Sequence, residues 1–341
     1  MKWGRMIFGL LGVLALGYMI FDYGADVLLK DFRSASWDSV FLVLTFIPTL
    51  FCFSVAWLCV TAVKGRRFSL SNIWWFLKMT TASIAWNNMT PFLKVGGEPA
   101  KVAMLGNQVA PRDAVTSVIV YNVIHMGATV FAVVLAAFLI PFFFATNPVA
   151  SRVCFLFGFL GLVLLVAVVV TPMIWPSSLR LRFSFKARWK RIVWLRKFII
   201  GLNWSVRYTR FFYRRHKFLF AFSFFLEVIA RFIEGLTFYL AFKIMNYSIP
   251  FLTAAFLDVG RTFADIVFFF IPYQVGGREQ SVLWMMKDIM DIDPRGYLAA
   301  VFMYRFVEVV WAIVGYFFWI GLSKRGKSRT LATTRSGSRK V

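Results

Sequence analysis

Long apolar runs separated by short polar punctuation dominate the chain. Candidate helices fall at residues 5–22, 39–63, 72–90, 114–140, 151–176, 218–243, 251–272 and 297–322. Residues 39–63, 114–151 and 153–179 contain no Lys, Arg, Asp or Glu, and about 20 apolar residues suffice for a helix to cross a bilayer. The short alternating segments of a membrane β-barrel do not occur. This pattern predicts an all-α polytopic membrane protein. The first run, after the basic start "MKWGR", lacks a small-residue cleavage site and reads as an uncleaved span rather than a signal peptide.

Two of the runs are broken in the same way. One reads "NNMTPFLKVGGEPAKVAML", the other "FFFIPYQVGGREQSVLWMM". Each places a Pro, then Val-Gly-Gly, then Glu. Each is followed by Pro-Arg (Pro111-Arg112, Pro294-Arg295) and by a Tyr ten residues beyond that Pro (Tyr121, Tyr304). The ordered series of matches predicts an internal duplication, with repeat one at 39–140 and repeat two at 218–322. Pro stops an incoming helix, and paired Gly allow close backbone approach. Such breaks are tolerated at membrane depth only where they are enclosed by protein or line a wet cavity.

Charge fixes the expected topology. Of 39 basic residues, 13 lie in 180–217 and 7 in 323–341, and neither stretch contains an acid. Eight full crossings would put the 180–217 segment on the opposite face from Lys2 and Arg5. If 72–110 and 251–293 are instead re-entrant hairpins entering from opposite faces, every basic segment lies inside, as the positive-inside rule requires. The expectation is six crossings and two hairpins related as an inverted repeat, the alternative being eight full spans. Both termini are then cytoplasmic, in a bacterial inner membrane. Residues 1–322 form one membrane domain, and 323–341 a basic, disordered tail. The 180–217 segment, with Trp189, Trp194 and Trp204 among its bases, reads as an amphipathic helix on the inner surface, where anionic headgroups meet it. The net charge of +24 is thereby accounted for without nucleic acid.

Charge within the spans costs several kcal/mol unless paired or wet. It occurs here in groups at helical spacing: Glu227, Arg231 and Glu234; Asp258, Arg261 and Asp265; Arg305 and Glu308, after Tyr304. Two readings stand. The groups are neutralised pairs that lock helices together, or the arginines hold an anionic headgroup through their fork geometry. In the second reading Lys94, Lys101, Arg112, Arg278 and Arg295 share that task, and the acids place the arginines or carry protons. Asn87 and Asn88 precede the first break and can cap its freed backbone, while His125 lies one turn from Asn122. Gly96, Gly97, Glu98, Gly276, Gly277 and Glu279 complete the candidate substrate site. Cys52, Cys59 and Cys154 lie in apolar runs and read as small buried hydrophobes. No metal or cofactor spacing occurs.

The two broken elements and the flanking "PRDAVTSVIVYNVIHM" and "PRGYLAAVFMYRFVEVVW" resemble the lysylphosphatidylglycerol synthase transmembrane family. This is the flippase-like membrane domain also found in multiple peptide resistance factors and hopanoid-associated membrane proteins. The resemblance spans about residues 5–322. Its first motif falls on Pro91, Gly97, Glu98 and Lys101, and its second on Pro272, Gly276, Gly277 and Glu279, with Tyr273 and Gln274 departing from the usual glycine-rich pattern. It implies movement of a lipid between leaflets and leaves the lipid itself open; the expectation here is a phospholipid or isoprenoid lipid with an anionic or polar headgroup. The chain shows no soluble aminoacyltransferase domain, so synthase activity is not implied. Two alternatives remain: an accessory subunit of a lipid-synthesis complex, and an intramembrane enzyme using Glu98, Asp258 or Glu279. No nucleophile–base pair supports the latter.

Overall fold

The computed structural model describes residues 21, 37–62, 68–89, 97–106, 108–144, 148–170, 193–268, 274, 276–293 and 297–337. Among these residues there are ten α-helices and no strand. They are α1 (Asp38–Ala62), α2 (Leu70–Met89), α3 (Gly97–Gly106), α4 (Pro111–Phe143) and α5 (Pro148–Leu165). Then follow α6 (Val193–Arg215), α7 (Lys217–Ile244), α8 (Phe251–Val267), α9 (Gly277–Trp284) and α10 (Leu298–Gly337). Single π-turns extend α5 (Val166–Val170) and α9 (Met285–Ile289).

Local chemistry sets the helix ends. Asp38 stands in the first turn of α1, where the helix dipole favours an anion. Pro111 opens α4, at a position whose N–H has no helical partner anyway. α9 follows Gly276 at φ +80°, a left-handed conformation that suits glycine. Glu279 Oε2 accepts the Gly276 N–H at 2.9 Å and caps that end.

Among the described residues, three helices are long and apolar enough to cross a membrane: α1, α4 and the Leu298–Leu322 part of α10. α7 has 28 residues, about 42 Å of helix, but carries Glu227, Arg231 and Glu234 along its middle. α5 exposes Phe155, Leu156, Phe159, Leu160, Val163 and Leu164. So large an apolar surface suits lipid rather than water.

The helices pair in a repeating scheme. α1 lies on α7, α2 on α10, and α4 on α8. α1 and α7 run antiparallel: Thr45 Oγ1 donates to Thr237 Oγ1 at 3.2 Å, and farther along Ser223 Oγ donates to the Ala56 carbonyl at 2.8 Å. Their two ends feed two apolar cores. One joins the start of α1 and the end of α7 to α8, α9 and α10. The other joins the end of α1 and the start of α7 to α2, α3 and α4. Each broken element therefore packs into its own core, with the α1–α7 pair between them.

Seven of the ten described helices, α1, α2, α4, α5, α7, α8 and α10, fall on the apolar runs expected from residue 39 onward, while α3 and α9 are short helices that begin at the two glycine pairs. The 5–22 run lies outside the described residues save Phe21. The basic 180–217 segment is helical from Val193 to Arg215. α10 continues to Gly337, through much of the stretch read from sequence as a disordered tail. A helix already nucleated extends with one hydrogen bond per residue added.

Candidate functional site

The first broken element rests on α2 and α4. Gly97 opens α3, and its N–H donates to Asn87 Oδ1 at 2.8 Å, so Asn87 caps the freed backbone as its position in the sequence suggests. One residue on, Glu98 holds the Lys101 ammonium at 3.1 Å and accepts from Asn122 Nδ2 at 2.6 Å. Lys101 is buried with its charge over the rings of Tyr121 and Trp57, 4.7 and 5.7 Å from their centroids. A cation over an aromatic face recovers part of the hydration it gives up on burial.

One turn along α4, His125 reaches α7. Its Nδ1 lies 2.8 Å from Glu227 Oε2, and the Tyr121 side chain adjoins the same carboxylate. Glu227 is fully buried, whereas 37% of the His125 side chain is exposed. Arg231 lies between two acids, at 2.7 Å from Glu234 and 4.0 Å from Glu227, with a guanidinium nitrogen 3.2 Å from His125 Nε2. Its guanidinium also covers the Phe53 ring of α1. On the far side, Arg231 and Glu234 fall within the electrostatic reach of Asp258 on α8.

The second broken element is held by a denser network. Arg261 donates to Asp258 at 2.7 and 2.9 Å and to Tyr304 Oη at 3.3 Å. Arg278 clasps Asp265 in a two-pronged pair, Arg305 meets Glu279 at 2.7 Å, and the Gln274 carbonyl accepts from Arg305 at 3.5 Å. Each arginine thus has a carboxylate of its own. All three also converge on Glu308, Arg261 at 2.8 Å, Arg278 at 2.9 Å and Arg305 at 3.1 Å. Among the described residues this cluster sets four carboxylates against three guanidiniums.

The two breaks share one device. Asn122, one residue after Tyr121, holds Glu98, and Arg305, one residue after Tyr304, holds Glu279. In each case the acid that follows the glycine pair is pinned by the residue after the spaced tyrosine. Between the two devices, the α7 group and Asp258 carry a buried ionic track from α3 to α9.

The structure brings most of the candidate residues into this track. Arg112 is not among them: it is exposed at the start of α4, about 15 Å along the helix from Asn122. Lys94, Gly96 and Arg295 lie outside the described residues, as does the side chain of Asn88. Gly276 and Gly277 are buried at the start of α9, where a Cβ on Gly277 would fall 2.7 Å from the Phe268 ring. No local pattern in the chain marks the aromatic partners Trp57 and Phe53, since both sit in an uncharged run among many aromatics. Gln274 carries a faint one: it departs from the family pattern, and it is buried at φ +47°, a strained backbone. Cys52, Cys59 and Cys154 are buried free thiols.

A family model described as the lysylphosphatidylglycerol synthase TM region matches residues 6–315. No curated protein matches the chain.

Proposed function

The chain belongs to the lysylphosphatidylglycerol synthase transmembrane family, a family of multi-pass membrane proteins with a membrane-lipid function, and from that premise we propose that it moves a phosphate-bearing lipid between leaflets. The headgroup travels along the ionic track while the acyl chains remain in the bilayer. The observation that carries this reading is the position of Glu308. Two buried arginines, Arg261 and Arg278, and the partly buried Arg305 already have their own carboxylates, yet all converge on this fourth one. Glu308 is therefore the resident anion of a three-arginine cradle, and a headgroup phosphate takes its place by exchange. Guanidinium forks suit phosphate as well as carboxylate, so the exchange leaves every Asp–Arg and Glu–Arg pair intact.

The fold supports the architecture that such movement needs. The paired helices, the antiparallel α1 and α7, and the matching Glu98–Asn122 and Glu279–Arg305 contacts support a reading as two repeats inverted in the membrane. In this reading α2–α3 and α8–α9 are re-entrant hairpins flanked by six crossings. The basic segment around α6 lies on the cytoplasmic leaflet of the inner membrane against anionic headgroups, and the protein transports rather than catalyses.

Purified protein in sealed liposomes with trace fluorescent anionic phospholipid tests this. Quenching of outer-leaflet label is expected to proceed beyond half of the total, while protein-free liposomes stop near half. Glu308→Gln leaves three arginines facing three carboxylates and is expected to strengthen stabilisation of the detergent-solubilised protein by added anionic phospholipid. Lipid movement absent across several headgroups, or equally fast for lipids without phosphate, counts against the proposal.

A further inference from the structure

The track contains one group that the exchange at Glu308 does not use. Glu227 is wholly buried in α7, and its nearest cationic partner is an imidazole rather than an arginine: His125 Nδ1 lies at 2.8 Å, Arg231 at 4.0 Å. Arg231 has committed its closest contact, 2.7 Å, to Glu234. The group of Glu227, Arg231 and Glu234 is thus neutral only when His125 carries a proton. An unbalanced buried carboxylate is costly, so the proton on His125 and the charge on Glu227 depend on each other.

The geometry points to a proton site at His125–Glu227 that couples lipid movement to the transmembrane proton gradient; this rests on the transport reading above. With the proton bound, the imidazolium donates to Glu227 Oε2, and Arg231 holds Glu234. When the proton leaves, the neutral ring accepts from Arg231, whose guanidinium is already 3.2 Å from Nε2. Arg231 then moves the short distance to Glu227 and releases Glu234, which faces Asp258 and, through it, Arg261. No bond other than N–H is made or broken. The charge change passes from α4 through α7 to the arginine cradle on α8 and α10. Histidine is the side chain whose charge changes near neutral pH, and the exposed part of the ring gives the proton a way in and out.

The groups around the pair are accounted for element by element. α7 supplies Glu227, Arg231 and Glu234, and α4 supplies Tyr121. α1 supplies the Phe53 ring, edge-on at 5.3 Å, and Cys52 within reach of Glu227. α3 supplies Glu98 and Lys101, which pair with each other, and α8 supplies Asp258.

The chain has only two histidines, and His216 stands at the α6–α7 junction. His216→Asn therefore leaves His125 as the one imidazole without touching the site. Nitrogen-15 NMR of the histidine-labelled H216N protein in bilayers reads its protonation directly. Over a sweep from about pH 5 to 8, a resonance that changes from imidazolium to neutral as pH rises, with the balance altered by adding Glu227→Gln, is the expected result. An imidazole fixed in one form over that range overturns the proposal. In liposomes, a one-unit pH gradient is expected to distribute the lipid about tenfold between leaflets for one proton per lipid, and His125→Gln to abolish that asymmetry. Lipid that moves but stays evenly distributed overturns the coupling and leaves the transport reading standing. No lipid movement under any gradient overturns both.

Discussion

Replacing Arg278 with leucine is expected to destabilise the protein by about 3–5 kcal/mol, the range for removing one partner of a buried ion pair. Arg278 clasps Asp265 and also holds both oxygens of Glu308 at 2.9 Å. Without it the second cluster holds four carboxylates and two guanidiniums, with Asp258 and Glu279 buried and Asp265 and Glu308 partly buried. Leucine fills much of the volume, so the loss reports charge rather than a cavity. The check is the thermal midpoint in detergent, followed by monodispersity on size-exclusion chromatography. Adding Glu308→Gln removes one of the two surplus anions, so the double variant is expected to regain stability relative to R278L alone. A coupling of about 0.5–3 kcal/mol is the usual range for residues in one network. Simple additivity of the two substitutions would mean that the arginine and Glu308 do not share a charge balance.

Gly97→Ala is expected to slow lipid movement at least about tenfold, the effect of roughly 1.4 kcal/mol on a barrier. A Cβ at this position would lie 2.5 Å from the Ser83 carbonyl oxygen of α2 and 2.5 Å from Asn87 Oδ1. Asn87 can rotate, but the Ser83 carbonyl is fixed by its helix, so α3 must back away from α2. That movement breaks the Gly97 N–H···Asn87 bond and shifts Glu98 and Lys101, the next charged residues of the track. Overpacking of this kind also costs about 1–3 kcal/mol of stability. Gly260→Ala is the informative comparison, because the three atoms nearest its Cβ all belong to the flexible Met285 side chain. Rates in liposomes, normalised to reconstituted protein, are expected to fall much further for G97A than for G260A. Equal rates for wild type and G97A would place the α2–α3 contact outside the transport path.

Much of this was legible in the chain. The helical membrane class follows from uncharged runs of bilayer length, and helix hydrogen bonding is local, so run length predicts α1, α2, α4, α5, α7, α8 and α10, whereas the short α3 and α9 carry no such signal. The spacing of Glu227, Arg231 and Glu234 placed them on one face of α7, where Arg231 and Glu234 pair directly. Arg305 and Glu308 pair in the same way on α10. The acid after each glycine pair and the tyrosine ten residues beyond each Pro-Arg also marked where the two breaks would be pinned. The structure altered partners and removed one member. Asp265, one turn from Arg261 in sequence, is claimed instead by Arg278 across the break, because α9 packs against α8 and brings that guanidinium to it. Arg112 matched the pattern but lies exposed at a helix start, where nothing draws it inward.

What the sequence determined by itself is the solvent, the helices and the residues too costly to leave unpaired in lipid, since these depend on composition and on spacings of three or four residues. Only the tertiary structure decided that three arginines share Glu308, that His125 faces Glu227 across 102 positions, and that Trp57 and Phe53 cover Lys101 and Arg231. Those contacts depend on which helices lie side by side. Helix packing is decided by the fit of whole apolar faces, and no local spacing in the chain encodes it.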